Sequence, residues 1–124
     1  MRKIFVTGIG TDIGKTIVSA ILVEKIKADY WKPVQSGELD NTDTDKVRGL
    51  VSNMVTVFHP EAYRLTKSLS PHYSSELDGI FIDPRILTLP DSKNDIQSKN
   101  RRFQSPGLIF YCYLLIPLNE LANK

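Results

Sequence analysis

The chain is poor in cysteine and histidine and has no long hydrophobic run. Cys112 is the only cysteine among 124 residues, which excludes an intramolecular disulfide and fits a reducing cytoplasm. The longest apolar run, Leu108–Ile116, is well short of the roughly 20 residues that a spanning helix needs, so we expect no membrane partner. No metal-ligand spacing links the two histidines, His59 and His72. A formal net charge of +2 gives no indication of nucleic acid binding, and glycines and charges near the N-terminus argue against a signal peptide.

The most informative stretch lies near the N-terminus and reads I-F-V-T-G-I-G-T-D-I-G-K-T. Glycines let successive backbone N–H groups turn toward an anion, and the helix that follows adds its own N–H groups. Lys15 supplies a cation for outer phosphates, and the hydroxyl of Thr16 can bind Mg²⁺. The pattern predicts a nucleoside triphosphate site, although five residues, and not the usual four, separate Gly8 from Gly-Lys-Thr. The alternative is an ordinary glycine turn between a strand and a helix, with a surface lysine beside it.

Hydrophobic periodicity predicts alternating strands and helices. The predicted strands are Ile4–Thr7, Tyr30–Val34, Thr56–Phe58 and Leu108–Ile116. The predicted helices are Lys15–Lys27, Asp45–Ser52 and a short one near Tyr73–Leu77, and the polar stretch 90–106 is predicted to be a solvated helix or loop. Strand, helix and strand within about 30 residues make a βαβ unit. We therefore predict one α/β domain over residues 1–124, a parallel sheet with flanking helices and a ligand site at the strands' carboxyl ends.

A second polar cluster follows the second predicted strand. Lys32 and Ser36 stand in the sequence Y-W-K-P-V-Q-S-G, and Asp43 stands in N-T-D-T-D. Lys32 can neutralise an anionic acceptor or the charge that develops during phosphoryl transfer. Asp43 can hold Mg²⁺ from the side opposite Thr16. The residues alone leave a blander alternative equally open, namely a surface lysine at a strand end and an aspartate that caps a helix.

These motifs, together with S-P-H at residues 70–72, resemble dethiobiotin synthetase, the ATP-dependent ligase of biotin biosynthesis. The phosphate loop with five intervening residues is that family's own variant, and the motifs occur in the family's order from Met1 to about Ile82. The resemblance implies a P-loop NTPase-like α/β fold, truncated relative to the family, and a homodimer. It implies ATP, Mg²⁺, 7,8-diaminononanoate and CO₂ as ligands. A carbamate formed on one amine is phosphorylated by ATP, and the neighbouring amine then closes the ureido ring.

The resemblance also implies roles for individual residues. Lys32 is the catalytic residue, which stabilises the carbamate and its phosphorylation. Thr11 and Ser36 contact the substrate, and Thr16 and Asp43 bind the metal. The residues implied to bind ATP are Asp12, Ile13, Gly14, Lys15, Thr16, Ile17 and Asp43.

The chain departs from the family pattern in its last strand. Family members carry E-G-A-G-G there, with a glutamate that completes the Mg²⁺ site, whereas Ile109–Glu120 begins as an aromatic run without glycine or that acid. The chain is also about half as long as a typical member. A disturbed reading frame is our hypothesis for both features, and an intact frame on resequencing the locus would remove it. Two alternatives to a working ligase stay open, namely an inactive fragment and a non-catalytic nucleotide-binding module.

Overall fold

Parallel strands form the framework of the part of the chain that the computed structural model describes, namely residues 2–8, 10, 12–91 and 108–114. The strands are β1 (Arg2–Gly8), β2 (Asp29–Trp31), β3 (Val34–Ser36), β4 (Phe58–His59), β5 (Tyr63–Leu65) and β6 (Leu108–Leu114). The larger sheet has the order β1-β6-β2-β4, and the smaller sheet pairs β3 with β5. All four pairings are parallel, so the prediction of a parallel α/β fold is confirmed.

Helices connect these strands. They are α1 (Lys15–Ile26), α2 (Asp43–Leu50) and α3 (Pro71–Asp78), and a 3₁₀ turn follows at Pro84–Ile86. The predicted βαβ unit is β1-α1-β2, and β6 lies between its two strands and pairs with both. The registers Gly8↔Leu114 and Trp31↔Tyr111 bring the carboxyl ends of all three strands to one edge of the sheet. Within the described ranges, no helix is long and apolar enough to cross a membrane.

Pro33 divides the second predicted strand. We predicted one strand over Tyr30–Val34, but β2 ends at Trp31 and β3 begins at Val34 in the other sheet. Proline has no N–H for the ladder, which explains why the strand stops there. The carbonyl of Pro33 accepts hydrogen bonds from Ala62 and Tyr63 at 2.8 and 3.0 Å, so the chain changes sheets at this residue.

Other bounds also differ from the prediction. The third strand is β4 at Phe58–His59, and β5 is a further strand that was not among the predicted ones. Helix α2 begins earlier than predicted, and α3 extends beyond the predicted helix at both ends. The prediction of a polar helix or loop over 90–106 falls almost entirely outside the described residues.

A small core forms where α1 and α2 meet the larger sheet. Its buried members are Ala20, Val23, Ala28, Tyr30 and Val47. The ring of Phe58 packs beside that of Tyr30, with 6.1 Å between the ring centroids. The apolar residues of α1 cover two faces, because Ile17, Val18 and Ile21 are about half exposed. Helix α1 therefore carries more apolar side chains than the described core buries.

Glu24 ties α1 to the segment that follows α2. Its carboxylate accepts hydrogen bonds from the backbone N–H groups of Ser52 and Asn53, at 2.9 and 3.1 Å. The side chains of the same two residues donate to it at 2.8 and 3.0 Å. These bonds, above all that from the Asn53 backbone, lower the pKa of Glu24 to about 2.

We expect Glu24→Gln to remove a pH-dependent part of the stability. Because the folded pKa is below the ordinary value of 4.5, the carboxylate stabilises the fold above that pH. This contribution is lost as the pH falls toward about 2. The Tm of the original chain should exceed that of Glu24→Gln near neutral pH, and the two should converge in acid. A difference in Tm that stays constant with pH would contradict this.

Candidate active site

The loop between β1 and α1 is built on left-handed backbone conformations. Gly14, the N-cap of α1, has φ 88° and ψ 11°, a region that glycine adopts without strain. Asp12 also has a positive φ, of 55°. The carbonyl of Gly14 accepts the first helical hydrogen bond, from the N–H of Val18 at 3.0 Å. Since the N–H groups of a first helical turn have no partner within the helix, this loop suits an anion.

Lys15 and Thr16 open α1 and contact two different segments. The ammonium of Lys15 donates to the carbonyl of Gly10 and so lies over the loop. The hydroxyl of Thr16 donates to Oδ1 of Asp43 at 3.3 Å. The structure thus brings together Thr16 and Asp43, the two predicted metal ligands, from separate helices.

Asp43 is held at this place by the N-terminus of α2. Thr42 is the N-cap, and its hydroxyl accepts from the N–H of Asp45 at 3.2 Å. Asp45 in turn accepts from the N–H of Thr42 at 3.0 Å, which completes a capping box. The hydroxyl of Thr42 also donates to Oδ2 of Asp45 at 2.9 Å, and this bond, followed by that from the N–H of Thr42, lowers the pKa of Asp45. The alternative of Asp43 as a helix cap is therefore wrong, because Thr42 is the cap and the carboxylate of Asp43 faces the site.

We expect Thr42→Ala to destabilise the fold by about 1 kcal/mol, because it leaves the N–H of Asp45 in α2 without its partner. Thr42 is 2% exposed, so water cannot easily replace its hydroxyl. Thr42→Ser keeps the hydroxyl and should lose much less stability. Urea unfolding of both variants measures this, and equal losses would show that the methyl group, not the cap, matters.

Lys32 approaches Asp43 from the end of β2. Its ammonium donates to Oδ2 of Asp43 and to Oε1 of Gln35, the latter at 2.9 Å. The side chain of Lys32 is only 14% exposed and that of Asp43 is 23% exposed. The alternative of a surface lysine at a strand end is therefore wrong. Asp43 contacts both Lys32 and Thr16, and in this way it connects the end of β2 and the helices α1 and α2.

A cavity of about 760 Å³ lies beside this network, at the carboxyl end of β2 and β3. Its volume is typical of small-molecule sites, at roughly 300–1,000 Å³. The predicted site residues that line it are Asp12, Gly14, Lys15, Thr16, Ile17, Lys32, Ser36 and Asp43. Ile13 does not line it, because its side chain lies against Gly8 and is half exposed. Thr11, the other predicted substrate contact, lies outside the described residues.

The cavity also has lining residues that we did not predict. They include Gln35, Glu38, Lys46, Ser68 and Leu69. The ammonium of Lys46 lies 2.5 Å from Glu38 and 4.0 Å from Asp43, and the hydrogen bond to Glu38 is the main cause of its raised pKa. Its position three residues after Asp43 would have indicated it only with the true start of α2, because the predicted helix began at Asp45. Ser70 and Pro71 of the S-P-H motif line the cavity at the start of α3, whereas His72 does not.

The side chains of Thr16 and Asp43 suit Mg²⁺. They present a hydroxyl and a carboxylate oxygen 3.3 Å apart, and Mg²⁺ in nucleotide sites takes one or two such protein ligands together with phosphates and water. Among the described residues there is no cluster of three or more acidic, histidine or cysteine residues that could hold a metal.

Comparison with known proteins shows the family of the chain. Residues 2–97 match the family model described as an AAA domain, and the chain belongs to this family of P-loop proteins. Curated proteins that it resembles include ATP-dependent dethiobiotin synthetases, as the sequence motifs indicated. That of Christiangramia forsetii is 47% identical over 95 residues, which cover 77% of this chain and 46% of the relative. That of Cytophaga hutchinsonii is 46% identical over 97 residues, covering 77% and 47%.

A third synthetase, from Chlamydia pneumoniae, is 43% identical over 96 residues, covering 77% of this chain and 42% of the relative. The resemblance to the N-terminal part of dethiobiotin synthetase is thus confirmed. The chain spans about half the length of the curated relatives that it matches.

Proposed function

We propose that the chain serves ATP- and Mg²⁺-dependent closure of the ureido ring of dethiobiotin, from 7,8-diaminononanoate and CO₂. One observation carries the proposal: Lys15, Thr16, Lys32 and Asp43, from three separate elements, all line one cavity. The names of the relatives, ATP-dependent dethiobiotin synthetases, support it. A homodimer, a single domain over the whole chain and a cytoplasmic location stay predictions.

In this proposal the loop and the start of α1 hold the phosphates of ATP. Lys15 exchanges the carbonyl of Gly10 for phosphate oxygens, and the N–H groups of the first turn point at the same anion. Thr16 and Asp43 are the residues that would hold Mg²⁺, which offsets negative charge on the phosphates when bound.

The reaction then needs a second cation on the acceptor side. One amine of the diamine attacks CO₂ and loses a proton, which gives a carbamate. A carbamate oxygen bonds to the γ-phosphorus as the bond to ADP breaks, and the neighbouring amine, losing a proton, attacks the carbamoyl carbon and expels phosphate. The ammonium of Lys32 faces the cavity, where it can stabilise the carbamate and the charge of the transfer. Ser36, which also lines the cavity, is the proposed contact to the substrate.

Phosphate release by the purified chain tests this proposal. With ATP, Mg²⁺, bicarbonate and diaminononanoate, we expect release that requires the diamine, together with dethiobiotin identified by mass. Lys15→Ala should abolish both, whereas Lys25→Ala, which removes an exposed lysine of the same helix, should change neither. ATP binding without diamine-dependent release would favour the non-catalytic module. A folded chain that binds no ATP would contradict both functions.

A further inference from the structure

Gln35 is a buried polar residue that has no role in the proposed reaction. It is 1% exposed, lines the cavity and lies in β3, which pairs with β5 in the smaller sheet. Its Oε1 accepts hydrogen bonds from the ammonium of Lys32 at 2.9 Å and from the N–H of Asp43 at 3.3 Å. Its Nε2 donates to the carbonyl of Gly37 at 2.8 Å.

These bonds fix which way the amide of Gln35 faces. The carbonyl of Gly37 can only accept, so it must meet the NH₂ group. The amide oxygen is then turned toward Lys32 and Asp43, both of which offer donors. The side chain is therefore a rigid acceptor, because burial leaves it no alternative partner in water.

Among the residues that the structure describes, the ammonium of Lys32 has two acceptors, and one of them, Asp43, has a competing partner. Asp43 receives the ammonium of Lys32 on Oδ2 and the hydroxyl of Thr16 on Oδ1. A cation that binds Asp43 and Thr16 repels the ammonium from that carboxylate. The oxygen of Gln35 carries no net charge and stays in place, since it also accepts from the backbone N–H of Asp43 while Nε2 of the same amide donates to the carbonyl of Gly37.

We propose that Gln35 is a positioning residue, which holds the ammonium of Lys32 at the cavity when Asp43 binds another cation. Its effect on turnover rests on the proposed function, but its hold on Lys32 does not.

Observation of the lysine ammonium by NMR tests the hold directly. In chain labelled with ¹⁵N-lysine, in the presence of Mg²⁺ and ATP, a hydrogen-bonded Lys32 ammonium should give a resolved signal, assigned by its loss in Lys32→Arg. Gln35→Met keeps the length of the side chain and removes the amide, so this signal should broaden beyond detection. Gln35→Glu keeps an acceptor oxygen and should retain the signal. The ammonium of Lys46, held by Glu38, is the internal control for folding.

Gln35→Asn, whose amide is one methylene shorter, replaces Gln35→Met if the Lys46 signal shows that the methionine variant unfolds. A Lys32 signal that is unchanged in a folded Gln35→Met or Gln35→Asn variant would overturn the proposal.

Kinetics give the second test. Gln35→Met should lower kcat roughly 10-fold and leave KM for ATP unchanged, because a hydrogen bond to a charged group is lost. In a Lys32→Ala background the same change should lower kcat no further, since Gln35 acts only through Lys32. Additive losses would contradict the proposal. If the original chain shows no turnover, the proposed function fails, and the Lys32 signal still decides the role of Gln35.

Discussion

Lys32→Ala is expected to lower kcat for diamine-dependent phosphate release about 100- to 1,000-fold, the usual loss when one preorganised donor to a transition state is removed. Lys32 lines the cavity from the end of β2, whereas Lys15 lines it from the start of α1. The substitution therefore leaves the phosphate loop intact. It also frees the carboxylate of Asp43 from an ammonium, so the affinity for ATP with Mg²⁺ should stay equal or rise.

Steady-state kcat and KM, with nucleotide binding followed by a fluorescent ATP analogue, measure these two effects separately. Lys25→Ala is the matched control, because it removes an exposed lysine of α1 at a distance from the cavity. A Lys32→Ala variant with ordinary kcat would remove this residue from catalysis. A loss of ATP affinity as large as the loss of kcat would instead assign Lys32 to nucleotide binding.

The phosphate loop could be predicted because its signal is local. Gly14, Lys15 and Thr16 are neighbours in the chain, and glycine geometry followed by a helix determines where their groups point. Predicting that Thr16 lies close to Asp43 needed two further arguments. One is the rule that parallel strands have their carboxyl ends at one edge of the sheet, and the other is the family resemblance. The resemblance also supplied Ser36, which does line the cavity.

Gln35 and Lys46 could not be assigned in the same way. Their positions depend on where Pro33 ends β2 and where α2 begins, and both points differ from the predicted bounds. The neighbouring residues Val34 and Gln35 are both buried, so strand alternation could not have predicted the burial of Gln35. The place of β6 between β1 and β2 is likewise a long-range pairing that periodicity does not encode.

Gly37→Ala is expected to destabilise the fold by about 2 kcal/mol or more, for two reasons that act together. Gly37 has a φ of 72°, in the left-handed region that costs other residues about 1–2 kcal/mol. A Cβ at this position would also stand 2.7 Å from the backbone N and Cα of Ser68, which cannot move as a flexible side chain would. The N–H of Gly37 donates to Leu65 at 2.8 Å, so the turn cannot open without breaking that bond.

Two other glycines separate the strain from the contact. Gly79 has a φ of 67°, but no atom of the described residues lies within 4 Å of its notional Cβ, so Gly79→Ala should cost only the left-handed conformation, about 1–2 kcal/mol. Gly49 lies within α2 with the same open space, and Gly49→Ala should stabilise the fold by about 0.5–1 kcal/mol. Urea unfolding of the three variants measures the order. Equal losses in Gly37→Ala and Gly79→Ala would mean that Ser68 yields to the added methyl group.

The carbonyl of Gly37 also holds the amide of Gln35, which in turn accepts from Lys32. A Gly37→Ala variant that still folds should therefore disturb Lys32 and lower kcat, an effect that Gly79→Ala should not share.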